Sequence, residues 1–317
     1  MLLKFSDNIF KRTFGVAFYN LPGIIAFTII AIFAEVQHAL GGIFGWGGLD
    51  FPTTPVTIMG SALAIFLGFR NNSAYDRWWE ARKIWGGIVN TSRSMGSFVM
   101  TFPSPRHGEA SIDEISAWRK SVINRQIGWL YILKAHLRKQ TKWEVLKDFI
   151  SEKEYEELMH KGNKPSQLLH NQSQAIASAF EKGMIDNFRH MELAREIRTL
   201  YELQGKCERI KNTVFPYYYN YFTHLFVWLF IICLPFALVP IMDYMAVPMS
   251  VAISFIFYIL NKAGELTEDP FEGRAADTPM STISRSIEID LLEMLGEEHP
   301  PKPLEVQKTV FDAHYLD

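Results

Sequence analysis

The chain has 317 residues and a mass of 36.5 kDa, with 48% hydrophobic and 21% charged side chains, a net charge of −2 and a mean hydropathy of +0.01. Its 32 Lys and Arg are matched by 34 Asp and Glu, which excludes a basic nucleic-acid surface, and no disordered class fits the composition. The placement of those charges excludes an ordinary soluble fold: residues 13–69 hold only Glu35 and Asp50, and residues 212–261 hold only Asp243.

The first apolar run, Leu21–Ala34, opens on Pro22, a residue tolerated in a helix's first turn. Glu35-Val36-Gln37-His38 follows it rather than a cleavage site, so it reads as a retained span. The second run, 51–69, opens with Thr53-Thr54-Pro55, a capping threonine and a first-turn proline, and continues from Val56 to Phe69 before Arg70. At about 1.5 Å per residue it falls slightly short of the roughly 30 Å hydrocarbon core, so its helix must continue into the polar stretch beyond.

Residues 212–242 are longer than a span requires. Pro216 and the rings of Tyr217, Tyr218, Tyr219, Tyr221 and Phe222 have an interfacial composition and precede the span proper at about 222–240, which Pro235 and Pro240 are expected to interrupt. A fourth run, Tyr244–Asn261, follows Asp243 after a very short turn and completes a second hairpin.

Lysine and arginine set the orientation. Lys4, Lys11 and Arg12 precede the first run, and Lys262, Arg274, Arg285, Lys302 and Lys308 follow the last; every other one lies in 70–211. The loops 36–52 and 241–246 have none, so both termini and the long middle segment are expected in the cytoplasm. Cys207 and Cys233, one in a charged segment and one in an apolar run, do not make a disulfide framework.

The middle segment has helical periodicity. Ile123, Ile127, Leu130, Leu133 and Leu137 draw one apolar stripe, and Leu193, Ala194, Ile197, Leu200 and Tyr201 draw a second. Asp277-Thr278-Pro279 looks like the start of a further helix with the stripe Ile283, Ile287, Leu291 and Met294, ended by Pro300, Pro301 and Pro303. The expected divisions are an N-terminal segment and first hairpin (1–69), a helical cytoplasmic region (70–211), a second hairpin (212–261) and a cytoplasmic helix and tail (262–317).

Catalytic chemistry is not expected. The nine histidines lack metal-ligand spacing, and neither a nucleotide-binding glycine motif nor a G-x-S-x-G occurs. The informative segment is Ser61–Arg82, SALAIFLGFRNNSAYDRWWEAR. Ser61, Ile65 and Phe69 share one helix face that leads to Asn72, Ser73 and Asp76. Two readings fit this pattern. The helix either packs in a bundle, with Arg77 and Glu80 as an i, i+3 pair, or its face lines a water path through an apolar constriction into polar groups. Polar side chains this dense at a membrane edge are costly against lipid, and four spans cannot enclose both a core and a pore, so a pore requires several subunits on a symmetry axis.

The string FLGFRNNSAYDRWWEAR at 66–82, with EDPFEGRAADTP at 268–279 running into SRSIEIDLLEML at 284–295, resembles the bestrophin family, its bacterial branch in particular. The match covers most of the chain and is weakest at about 101–175. The resemblance implies an all-α membrane protein, four transmembrane helices per subunit in two hairpins plus a helical cytoplasmic region, assembled as a homopentamer around an axial pore. It implies a passive ion channel with a hydrophobic gate, in the bacterial inner membrane, whose partners are other copies of itself, lipid and permeant ions. Carried over by position, the neck falls on Ser61, Ile65 and Phe69, the polar pore face on Asn72 and Asp76, and the cytoplasmic aperture on Phe215.

Two departures from the family pattern matter. Family necks usually carry three bulky apolar residues, and Ser61 is small and polar. Animal members hold calcium with a run of carboxylates after the counterpart of Asp269-Pro270-Phe271. Here that run is Glu272-Gly273-Arg274-Ala275-Ala276-Asp277, so no cofactor is expected, and Glu265, Glu268, Asp269 and Asp277 are expected as caps and salt-bridge partners. Family grounds put chloride slightly ahead. The alternatives are a sodium-selective channel of the same architecture and a transporter or scaffold without a pore.

Overall fold

Proline marks the entry to the apolar helices. In the computed structural model, which describes residues 2–4, 15–41, 51–105, 110–213, 217–308 and 314–315, α1 spans Leu21–Ala39 with Pro22 in its first turn, where a missing N–H forfeits no hydrogen bond. It runs beyond Ala34 through Glu35, and Gln37 is buried. α2 spans Thr53–Thr101, 49 residues in one helix, so the apolar run and the polar stretch after it form a single rod of about 73 Å. Thr53 is its first helical residue rather than its cap, and the Thr53 carbonyl accepts from the Thr57 hydroxyl.

α7 (Tyr217–Met242) and α8 (Ala246–Glu268) make a hairpin joined by the turn Asp243–Met245, in which Asp243 takes a φ of 47°. Pro235 and Pro240 do not interrupt this hairpin; both sit inside continuous helix. Pro240 leaves the Phe236 carbonyl without its helical donor, and the backbone N–H of Phe51, just before α2, donates to it at 3.4 Å. The stretches Leu21–Ala39, Thr53–Thr101 and Tyr219–Glu268 are long and apolar enough to cross a membrane, the last covering the α7–α8 hairpin from Tyr219 onward. Their shared core includes Phe27, Val56, Leu63, Leu67, Val227, Phe230 and Leu234. Gly60 allows α2 and α7 to approach closely, because a Cβ there would stand 2.8 Å from the Phe230 ring.

The helices α3 (Ile112–Leu137), α6 (Asn187–Asn212) and α9 (Met280–Leu295) pack on the second half of α2, while α5 (Lys164–Glu181) lies against α3 and α6, and α4 (Glu152–Met159) against α5. Ser111 and Glu114 close a capping box at the start of α3. All five residues of its stripe are buried, with Trp85, Ile88 and Met95 of α2 in the same core. On α6, Leu193, Ile197 and Leu200 are buried while Ala194 is exposed. α9 starts at Met280, and Asp277 accepts from the Arg274 backbone N–H instead of capping it. The described residues add a minimal antiparallel sheet to the all-α expectation, in the order β1 (Leu2–Lys4), β3 (His314–Tyr315), β2 (Gln307–Lys308). It arises because extended terminal segments of one chain satisfy each other's backbone groups.

Candidate functional site

α2 has two unlike faces. Val56, Gly60, Leu63, Leu67, Arg70 and Ala74 are buried against the neighbouring helices. On the opposite face Ser61, Ile65, Phe69, Asn72 and Asp76 are all exposed, Ile65 at 63% and Phe69 at 69%. The structure therefore brings these five expected residues together on one line: Ser61, then the apolar Ile65 and Phe69, then the polar Asn72 and Asp76. A groove of 430 Å³ runs beside that line, lined by Thr57 and Ser61 of α2, Phe230 and Leu234 of α7 and Phe257 of α8.

Immediately behind Phe69, Arg70 is only 1% exposed. It donates to Asn261 Oδ1 at 2.6 Å, to Asn220 Oδ1 at 2.8 Å and to Glu268 Oε2 at 3.4 Å, fastening α2 to α7 and α8. A buried guanidinium requires an opposite charge and full hydrogen bonding, and Glu268 supplies the charge. Asn220 also donates to Glu268, and Asn261 donates to Glu265 at 2.8 Å.

One level further along, the expected Arg77–Glu80 pair is replaced. Arg77 donates to the carbonyls of Glu268 at 3.0 Å, Ile210 at 2.7 Å and Thr213, while Glu80 accepts from Arg209 at 2.7 Å. The cause is the end of α6, whose terminal carbonyls lack helical donors and lie against α2. Arg77 thus holds Thr213, two residues before Phe215; Phe215 itself lies outside the described residues.

The tail carboxylates have partners within the chain. Lys211, buried, bonds Asp269 at 3.0 Å and Glu272. Its hydrogen bond holds the Glu272 carboxyl below the usual range, while burial pushes Asp269 up. Burial also raises Asp277, against the pull of the Arg274 backbone N–H. Among the described residues no group of three or more His, Cys, Asp or Glu side chains could hold a metal ion. Sequence reasoning missed the Arg70 and Lys211 clusters. The available signal was polar residues inside apolar helices, Asn220 and Asn261, together with a lone arginine at a span's end.

The motif strings have relatives over most of the chain. The family described as bacterial/fungal bestrophin protein matches residues 15–293. A voltage-dependent anion channel-forming protein of Escherichia coli K12, YneE, is 35% identical over 269 residues, covering 84% of this chain and 83% of that one. A protein of the same description from Ralstonia nicotianae is 30% identical over 250 residues, covering 78% and 79%. The crystal structure of a bacterial bestrophin homologue from Klebsiella pneumoniae superposes with a TM-score of 0.79 at 26% identity, covering 87% of this chain and 98% of that one. With its apolar helices, the chain is a membrane-embedded protein, and it belongs to the bacterial and fungal bestrophin family.

Proposed function

We propose that this chain forms a bestrophin-type ion channel, a homopentamer in the bacterial inner membrane that passes monovalent ions passively along its symmetry axis. Each subunit crosses the membrane four times, through α1, the first part of α2, α7 and α8, with both termini in the cytoplasm. Ser61, Ile65 and Phe69 line the neck, Asn72 and Asp76 line the polar path below it, and Phe215 forms the cytoplasmic aperture. Rings of Ile65 and Phe69 act by dewetting a narrow passage rather than by coordinating an ion.

The observation that carries this reading is the exposed line on α2. Two large apolar side chains stand free at 63% and 69% exposure on the same face as Asn72 and Asp76, which would be costly against lipid. Channel-forming relatives support the same reading, and their description as anion channels puts chloride ahead. Reconstitution of the purified oligomer in a planar bilayer tests it: unitary currents are expected, with conductance or open probability raised by Ile65→Ala and Phe69→Ala. Silent bilayers from intact oligomers would instead favour a scaffold.

One observation favours a cation channel of the same architecture: Asp76, a carboxylate, is exposed on the line, whereas Arg70 is buried on the opposite face. Reversal potentials in asymmetric NaCl separate the two, the sign following the more permeant ion.

A further inference from the structure

The charged residues of α2 fall into two groups. Arg70, Arg77, Glu80 and Arg93 are all engaged, Arg93 with Asp290 at 2.7 Å and the others with the partners described above. Among the described residues Asp76, Arg82 and Lys83 make no hydrogen bond or ion pair, and of these Asp76 and Lys83 are exposed. Nothing on the helix itself is available to Lys83. The residues three and four before it are Glu80, taken by Arg209, and Trp79, and those three and four after it are Gly86 and Gly87. Arg82, half-buried, stands one residue and about 100° away.

Position is the second observation. Eighteen residues are about five full turns, so on this unbroken helix Lys83 stands in line with Ile65, and Asp76 lies about 20° off that line. The exposed face that begins with the apolar residues therefore extends past Asp76 to a free ammonium group about 10 Å further along the axis.

On the channel reading above, we propose that Lys83 is a specificity-determining residue of the permeation path: a ring of its ammonium groups draws anions toward the neck, opposed by the ring of Asp76 carboxylates nearer to it. The two rings are separated by slightly more than a Debye length at physiological salt, about 8 Å, so each imposes its own local potential instead of cancelling the other. A unit charge about 7 Å from a permeant ion changes that ion's local concentration roughly threefold even at the dielectric of bulk water. Ring symmetry multiplies the effect.

The test is the chloride-to-sodium permeability ratio, from reversal potentials of reconstituted channels in asymmetric NaCl. Lys83→Gln is expected to lower the ratio at least about threefold, Lys83→Arg to keep it and Asp76→Asn to raise it, with every shift shrinking as salt approaches 1 M. A Lys83→Cys channel, assembled first and then treated with a positively or a negatively charged thiol reagent, sets the charge without relying on how Lys83→Gln folds. The positive reagent is expected to restore the ratio and the negative one to lower it further. Conducting Lys83→Gln channels with an unchanged ratio, or labelled Lys83→Cys channels indifferent to reagent charge, would overturn the assignment of Lys83 while leaving the channel standing. A wild-type oligomer without unitary currents would overturn the channel itself.

Discussion

Arg70→Met removes the guanidinium that joins α2 to α7 and α8 and leaves everything around it in place. Two amide oxygens, those of buried Asn261 and half-buried Asn220, lose donors at 2.6 and 2.8 Å, and orphaning the buried one costs about 1 kcal/mol or more. The larger loss is electrostatic. Glu268, whose side chain is 10% exposed, loses its Arg70 ion pair at 3.4 Å while the Asn220 amide stays at 3.2 Å, so a buried carboxylate is deprived of this guanidinium. Breaking one side of such a pair costs about 3–5 kcal/mol. For a chain of this size that is a fall of roughly 10 °C in Tm. The assay is thermal denaturation of the detergent-solubilised oligomer at one fixed scan rate, which keeps irreversible unfolding comparable between variants. Adding Glu268→Gln to Arg70→Met removes the stranded charge, so the double variant is expected to recover more than half of the loss. An Arg70→Met protein melting within about 2 °C of wild type would refute the argument that α2 is held by this buried charge pair.

Gly60→Val places side-chain atoms where the Phe230 ring already stands, 2.8 Å from a Cβ at that position, and is expected to destabilise by about 1–3 kcal/mol in the same melting assay. Glu154 responds to pH. Burial raises its carboxyl, but Arg125 at 2.8 and 3.0 Å and Asn171 outweigh that and hold it below 4.5. A lowered folded value gives stability that is present above 4.5 and lost as pH falls through the folded value, so wild type should lose Tm more steeply below that pH than Glu154→Gln. Arg77→Lys replaces a planar fork serving three carbonyls with a single ammonium, and is expected to change open probability in single-channel records while leaving unitary conductance near wild type.

Legibility followed the range over which each signal is written. The apolar helices were readable because charge depletion is a local property of 20 or so consecutive positions. The buried stripe of α3 and the exposed line of α2 were readable because helical periodicity is local as well. What escaped was set by residues distant in the chain. Nothing near Arg70 announces that Asn220, Asn261 and Glu268 will surround it, and its position at the end of an uncharged run suggested a boundary rather than a core residue. Arg77 and Glu80 looked like partners by spacing, but the end of α6 offered each something stronger. Pro235 and Pro240 signalled a break that the helix avoids, in one case because Phe51 supplies a donor from outside it.

The continuity of α2 bears on how the passage could widen. A helix of 49 residues with no break is a poor bender and a good axle: torque applied at its second half, where α3, α6 and α9 pack on it, arrives at Ile65 and Phe69 as rotation. Gly68 precedes Phe69 by about 100° around that axle and has nothing within 4 Å of where its side chain would be. On the channel reading, a small twist would swing the Phe69 ring toward the bare backbone of Gly68, and the limit on that twist is Arg70, which a full quarter turn would pull away from Asn220, Asn261 and Glu268.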